Sequence, residues 1–372
     1  TDPKDDVRVL GRGMYPEVPP APEEFPLVYA DPSSPYVVAS TQGGVRRENP
    51  YFVARLADVL AGRPAWRRAC TLDDEVTGFA FRGEELYLLT TKGAENGRVV
   101  RTPLAKPSFA DATTVLPAGA VVVESVACAR DGVYVQDMDG GYGALRRLGN
   151  DGKVTRVPLP FEGSIVSIFS DSRTDGIWFG ATGWLDPLTI LRYEPGANRT
   201  TDTGLSPKPP VDTSPYETIR SYATARDGTK VPLSIVARKG AKRDGSHPVL
   251  VNAYGSYQIS YTPGFNVRGI AFLERGGVLA VAHVRGGGEY GRRWWKAGQK
   301  ENKPNTWRDL IDCCEHLVKA GWTSPKRLAI QGGSAGGITV GRALTERPDL
   351  FAAVIANVPS TNTLRAEFTQ NG

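Results

Sequence analysis

The chain has 372 residues, 40% of them hydrophobic. It is too long for one small domain and too apolar for a disordered or collagen-like polymer, so two folded domains are expected. Lys and Arg number 45 against 40 acidic residues, and the net +5 is spread along the chain; neither a nucleic-acid-binding face nor a polybasic membrane tail is indicated. The arginine pairs at 46–47, 67–68, 146–147 and 292–293 read as solvated surface. Cys70, Cys128, Cys313 and Cys314 lack C-x-x-C spacing and a nearby histidine ladder, which argues against structural zinc or a disulfide framework and favours a reducing compartment. No apolar run reaches the roughly 18–20 residues needed to cross a bilayer, and the N-terminus has no signal-peptide pattern. A soluble, cytoplasmic chain is the expectation, with neither membrane nor nucleic acid as a partner.

The first half is punctuated by Gly and Pro between short β-rich runs, as in an all-β domain. Short strands ending near an arginine recur at Arg55, Arg101, Arg146 and Arg192, with spacings of 46, 45 and 46. Upstream of each lies an aromatic strand centred on Tyr36, Tyr87, Tyr134 and Trp178, spaced by 51, 47 and 44. Two features in phase at this period predict propeller blades, four of them, each a small sheet that buries its faces against its neighbours. A β-sandwich meander is the alternative. The arginines serve here as register marks at strand ends. Asp137-Met138-Asp139-Gly140 has the start of a calcium loop without the later ligands, and reads as a propeller turn.

After the Pro-rich stretch 205–215 the character changes, and the division falls at 1–212 and 213–372. Apolar runs at 247–254 and 277–284 suit strands of a parallel sheet covered on both faces, with a crossover helix over 263–275. Asn305 or Thr306 caps a helix whose stripe contains Leu310, Ile311, Cys314, Leu317 and Val318, closed by Gly321. Cys313 and Cys314 are thereby helix packing. A strand at 326–331, a helix at 335–346 and a strand at 351–358 complete a doubly wound α/β pattern.

The chemistry concentrates at Gly332-Gly333-Ser334-Ala335-Gly336-Gly337, between that strand and helix. Small residues around a serine at such a turn make a nucleophile elbow, which lifts the hydroxyl above the sheet edge at the positive end of the following helix. A phosphate-binding turn would need G-x-G-x-x-G or a terminal G-K-[ST], and neither is present.

Residues 213–372 resemble the catalytic domain of the prolyl oligopeptidase family of serine peptidases. The resemblance is carried by Ala253-Tyr254-Gly255-Ser256-Tyr257, the segments 284–291, 323–328 and 332–337, and Arg347-Pro348-Asp349-Leu350-Phe351. It implies an α/β-hydrolase sheet preceded by a seven-bladed β-propeller that caps the active site and admits short peptides. It implies Ser334 as nucleophile, the Tyr254 hydroxyl and the Ala335 backbone N–H as oxyanion hole, and Tyr257 as a substrate-pocket aromatic. No cofactor and no metal are implied, and the complete protein is expected to be a monomer. Cleavage after proline is the expectation. Ala335 stands where prolyl endopeptidases carry Asn, and the Tyr-Gly-Ser-Tyr segment resembles oligopeptidase B, so cleavage after Arg or Lys is the first alternative; a non-catalytic propeller-based binding module is the second.

The family places its acid and base after the serine, whereas His247, His283 and His316 all precede Ser334. The expectation is a central fragment, about four blades of seven plus part of the hydrolase sheet, with the catalytic Asp and His beyond Gly372 and little activity alone. A self-contained set of His283, Asp309 or Asp312, and Ser334 is the alternative, since triad geometry does not fix chain order. His283 lies inside an apolar strand, however, and reads as a packed histidine. Gly286-Gly287-Gly288 shapes either a loop near the site or a plain turn.

Overall fold

The computed structural model describes residues 8–207 and 209–361. The first sixteen strands form four separate sheets of four, each with its strands in chain order. The first sheet holds β1 (Glu24–Ala30), β2 (Tyr36–Gly43), β3 (Tyr51–Arg55) and β4 (Arg67–Cys70), with a short helix α1 (Leu56–Leu60) after β3. The second holds β5 (Val76–Arg82), β6 (Glu85–Thr90), β7 (Arg98–Pro103) and β8 (Thr113–Leu116). The third is β9 (Val122–Ala129), β10 (Gly132–Asp139), β11 (Tyr142–Gly149) and β12 (Val154–Val157). The fourth is β13 (Ser164–Phe169), β14 (Ile177–Thr182), β15 (Thr189–Glu194) and β16 (Arg199–Asp202).

Alternation along each strand gives every inner sheet two apolar faces. Leu88 packs toward the first sheet with Val38 and Val53, whereas its neighbour Leu89 packs toward the third with Val133 and Val135. Tyr134 then turns the other way, toward Ile177, Phe179 and Leu191 of the fourth. Face-to-face stacking of successive four-stranded sheets is blade packing in a propeller.

The two repeating marks prove to be one cross-strand pair. Tyr36 lies opposite Arg55, Tyr87 opposite Arg101 and Trp178 opposite Arg192. In the third sheet Tyr134 faces Arg147, one residue past the mark. The Arg55 and Arg192 guanidinium groups lie 5.8 and 5.9 Å from the Tyr36 and Trp178 ring centres, so these arginines cover aromatic faces. The surface reading of three paired arginines is corrected. Arg146 and Arg147 neutralise the buried Asp137 and Asp131 carboxylates, and Arg292 joins Glu48 and Glu75, because a carboxylate taken from water needs a counter-charge. With Asp137 so engaged, Gly140 and Gly141 supply the two positive φ angles of the β10–β11 hairpin turn.

A six-stranded sheet follows, comprising β17 (Tyr216–Thr224), β18 (Lys230–Arg238), β19 (Val249–Asn252), β20 (Val278–Ala282), β21 (Leu328–Gly333) and β22 (Ala353–Asn357). Its order is β17-β18-β20-β19-β21-β22. The last four in this order run parallel; β17 and β18 form an antiparallel hairpin at one edge, which the sequence reading did not include.

Helix α2 (Val267–Glu274) covers one face with Ile270 and Leu273 against Val236 and Leu279. A short α3 (Gly291–Lys296) precedes α4 (Pro304–Lys319), which with α5 (Gly336–Glu346) covers the other face through Leu310, Ile311, Leu317, Val340 and Ala343. Cys313 and Cys314 are fully buried there.

Two helix starts differ from expectation. The crossover helix begins only after Asn266, whose side chain accepts the Arg268 N–H at 3.0 Å. Helix α4 begins at Pro304, preceded by Lys303, and uses no side-chain cap; proline fixes the first φ and removes one orphan donor. Asn305 and Thr306 bond instead to the Ala297 and Arg285 carbonyls at 2.9 and 2.8 Å. Among the described residues no helix is long and apolar enough to cross a membrane.

The propeller sheets and the part of the chain that carries the six-stranded sheet touch through polar contacts. Ser164 Oγ donates to the Pro263 carbonyl at 2.6 Å, and Arg292 Nη1 lies 3.1 Å from Glu48 and 2.9 Å from Glu75.

Candidate active site

Strand β21 runs into α5 through Ser334 and Ala335. Ser334 has φ +51°, a left-handed conformation that non-glycine residues adopt only when their surroundings impose it. Here the surroundings are backbone. The Ser334 N–H donates to Asn357 O at 3.0 Å, and its carbonyl accepts from Gly337 N and Ser360 N, each at 2.9 Å. A Cβ at Gly332 would lie 2.5 Å from the Gly336 carbonyl, and one at Gly336 would lie 3.0 Å from the Ala253 carbonyl and 3.2 Å from the Tyr254 ring. Only glycine lets strand, helix and the Tyr254 segment converge this closely.

The consequence is an exposed Ser334 on an otherwise buried turn. Ala335 is 4% exposed, and among the described residues its N–H makes no hydrogen bond; it points along the start of α5, where the helix dipole is positive.

Tyr254 reaches this point from β19, which pairs in parallel with β21 so that Asn252 lies opposite Gln331. Both chains leave the sheet at the same edge, where α/β folds collect ligands. The Tyr254 phenol has its pKa raised by burial and by the nearby Tyr257 phenol, against the pull of a hydrogen bond with the Ser334 side chain. The phenol therefore stays protonated near neutral pH, with its O–H beside the serine. Tyr257 follows with 46% exposure and φ +56°, and Gln258 with φ +57°. The structure thus brings Ser334, Ala335, Tyr254 and Tyr257 to one edge of the sheet.

It does not bring the histidines there. His283 is 1% exposed, its Nε2 lies 2.9 Å from Ser234 Oγ, and its Nδ1 lies 3.7 Å from Glu289. Asp309 is held by Arg285 and Asp312 by Arg226. His247 bonds to the Gly276 and Lys242 carbonyls, and His316 lies on α4, its pKa lowered by burial and by Lys319, Arg243 and Lys230. Among the described residues no His–Asp–Ser set is assembled around Ser334. Among the described residues no cluster of three or more His, Cys, Asp or Glu side chains could hold a metal ion.

Gly286 belongs to the site's scaffold. Its N–H donates to the Trp294 carbonyl at 3.1 Å, and only the lack of a Cβ, which would fall 2.1 Å from the Gly255 carbonyl oxygen, lets that segment approach. Two further residues escaped the sequence reading. Thr339 Oγ1 donates to the Tyr254 carbonyl at 2.8 Å, and Lys303 Nζ donates to Gly255 O at 2.6 Å and Ser256 Oγ at 2.8 Å. Thr339 had a signal, a hydroxyl one turn into the helix after the elbow; Lys303 had none.

Comparison with known proteins finds relatives of both halves of the chain. Residues 263–371 match the model of the prolyl oligopeptidase family, and residues 21–202 match its N-terminal β-propeller domain. A prolyl endopeptidase of Elizabethkingia meningoseptica is 34% identical over 289 residues, 76% of this chain and 40% of that protein. Dipeptidyl aminopeptidase BI of Pseudoxanthomonas mexicana is 39% identical over 190 residues, 51% of this chain and 26% of that protein. A solved prolyl endopeptidase structure superposes with TM-score 0.87 at 29% identity, covering 100% of this chain and 53% of that one. The chain therefore spans about half or less of the length of these relatives.

Proposed function

Because the chain belongs to the prolyl oligopeptidase family, we propose that Ser334 is the nucleophile of a serine peptidase that cleaves short peptides after proline. The observation that carries this reading is the left-handed Ser334, exposed on a glycine-lined elbow against which Tyr254 packs. The Ser334 oxygen attacks the scissile carbonyl carbon, and the oxygen that becomes negative is met by the Tyr254 hydroxyl and the Ala335 N–H. Collapse breaks the C–N bond, the amine leaves with the proton taken from Ser334, and water then hydrolyses the acyl-enzyme. Tyr257 offers an exposed ring on which a proline side chain can pack. The prolyl endopeptidases among the relatives support the post-proline choice.

The proton needs a general base, but the rings of His247 and His283 are bonded elsewhere and His316 lies on α4. The reading therefore assigns the base to sequence outside these 372 residues, and gives the isolated chain little turnover. The propeller, taken as 1–212 beside a hydrolase part 213–372, would restrict access to short peptides.

A fluorophosphonate probe applied to the intact protein that contains this chain tests the assignment. Labelling is expected at Ser334 and is expected to vanish in Ser334→Ala; persistent labelling and hydrolysis in that variant would refute it. Matched peptides with Pro, Arg or Lys before the scissile bond decide specificity, and the highest kcat/KM is expected for Pro. Tyr254→Phe is expected to lower kcat by about 100-fold or more with little change in KM.

A further inference from the structure

Lys303 sits where a cation is poorly accommodated. It is the residue before the first turn of α4, at the positive end of that helix dipole. Burial pushes its pKa down to about 8, and among the described residues no carboxylate offsets that burial. A buried unpaired ammonium is costly, and the same carbonyl and hydroxyl could be satisfied by a neutral donor.

What the ammonium holds is the segment directly after Tyr254. It donates to the Gly255 carbonyl at 2.6 Å and to Ser256 Oγ at 2.8 Å. That segment is under backbone strain, with left-handed φ at Tyr257 (+56°) and Gln258 (+57°); such residues cost on the order of 1–3 kcal/mol each and persist only where neighbours impose them. At its two ends Thr339 Oγ1 holds the Tyr254 carbonyl at 2.8 Å and the Gln258 N–H donates to Gly286 O at 3.2 Å, and between them the Ile259 N–H donates to the Ser256 carbonyl at 3.0 Å. Lys303 is the side-chain restraint in the middle.

We propose that Lys303 is a positioning residue: it fixes the Gly255–Ser256 peptide so that the Tyr254 hydroxyl stays where the oxyanion forms, and it acts through that loop without touching substrate. The proposal rests on the assignment of Ser334 and Tyr254 above. Small displacements of a donor from the developing charge lower the chemical rate far more than they lower ground-state binding.

The test is a double-mutant cycle on the intact protein that contains this chain, with kcat and KM measured on a short chromogenic peptide. Lys303→Met is expected to lower kcat roughly 10- to 100-fold while KM changes less than about threefold. In a Tyr254→Phe background the same substitution is expected to cost less than about threefold, because the hydroxyl it positions is gone. If Lys303→Met does not fold, Ser256→Ala removes one acceptor of the same ammonium at little change in volume, and a smaller kcat loss that likewise disappears with Tyr254→Phe is expected. Equal losses with and without the Tyr254 hydroxyl, or a change in KM alone, overturn the positioning role and leave Ser334 and Tyr254 in place. A Tyr254→Phe variant of normal kcat overturns the oxyanion assignment and the proposal with it.

Discussion

In the first half of the molecule every strand bonds to its neighbour in sequence, whereas in the second half β19 lies between β20 and β21, reached through helical crossovers. The difference in pairing explains where chemistry can be built. Local meanders bring together residues already close in the chain, and produce four similar sheets with a repeating cross-strand pair. Crossover connections bring Tyr254 and Ser334, eighty residues apart, to adjacent ends of parallel strands. The two halves also bury charge differently: Arg285 and Asp309 of the second half are 7% and 0% exposed, whereas in the propeller Asp137 is 5% exposed but its partner Arg146 is 29%, and Arg130 and Asp175 are 62% and 47%.

The sharpest way to break this contrast is to remove one buried charge. Asp309→Ala leaves Arg285 in the core with only the partly exposed Asp227, and should destabilise the chain by about 3–5 kcal/mol. Asp175→Ala should leave the denaturation midpoint essentially unchanged, since its pair with Arg130 is screened by water. Urea unfolding of both variants checks this; equal effects would show that burial does not separate the halves.

Glycine substitutions come next. At Gly286, φ is +101° and an added Cβ would meet the Gly255 carbonyl, so Gly286→Ala should cost about 3 kcal/mol. Gly152 in the β11–β12 turn has φ +79° but open space around it, and Gly152→Ala should cost about 1 kcal/mol from backbone strain alone. Thermal unfolding of the pair distinguishes a turn that needs only conformation from a crossing that also needs space.

Arg292 links the two halves. It bonds to Glu48, Glu75 and the Thr91 hydroxyl, and Arg292→Ala should weaken the link by about 1–2 kcal/mol. Calorimetry should then show the unfolding of propeller and hydrolase sheets drawing apart; an unchanged single transition would mean that the other contacts suffice.

The smallest effect is an acid titration. Burial alone would raise the Asp227 carboxyl, but hydrogen bonds from Arg285 and Thr229 overcome it and hold the pKa at about 2. A depressed carboxylate contributes stability that is complete above its unfolded pKa near 3.8 and is lost as pH falls through about 2. Because Asp227 is 43% exposed, the contribution should stay below about 1 kcal/mol. Asp227→Asn should flatten the fall in Tm over that window. Asp171, also near 2 but set in solvent beside Arg173, should leave the curve unchanged when replaced by Asn.

Much of the fold was legible because its signals are local. Period-two alternation, turn residues and a recurring aromatic and arginine mark each lie within a few residues, and they located four sheets. The same logic failed by one residue in the third sheet, where Arg147 rather than Arg146 faces Tyr134; register belongs to two strands at once, and neither strand states it alone. It also passed over the β17–β18 hairpin, although Asp227-Gly228 marks its turn.

The elbow belongs among the things the sequence determined by itself. A serine between two pairs of glycines, after an apolar strand and before a helix, has few other backbone solutions, and Ser334 takes the left-handed one. Only the tertiary structure decided what surrounds it: that Tyr254 lies beside Ser334 at the ends of β19 and β21, that His283 is spent on Ser234, and that the half-buried Lys303 is set against the Tyr254 loop. The physical reason is that a turn's conformation depends on the sizes of adjacent residues, whereas burial, pairing and proton affinity depend on which distant elements the crossovers place alongside.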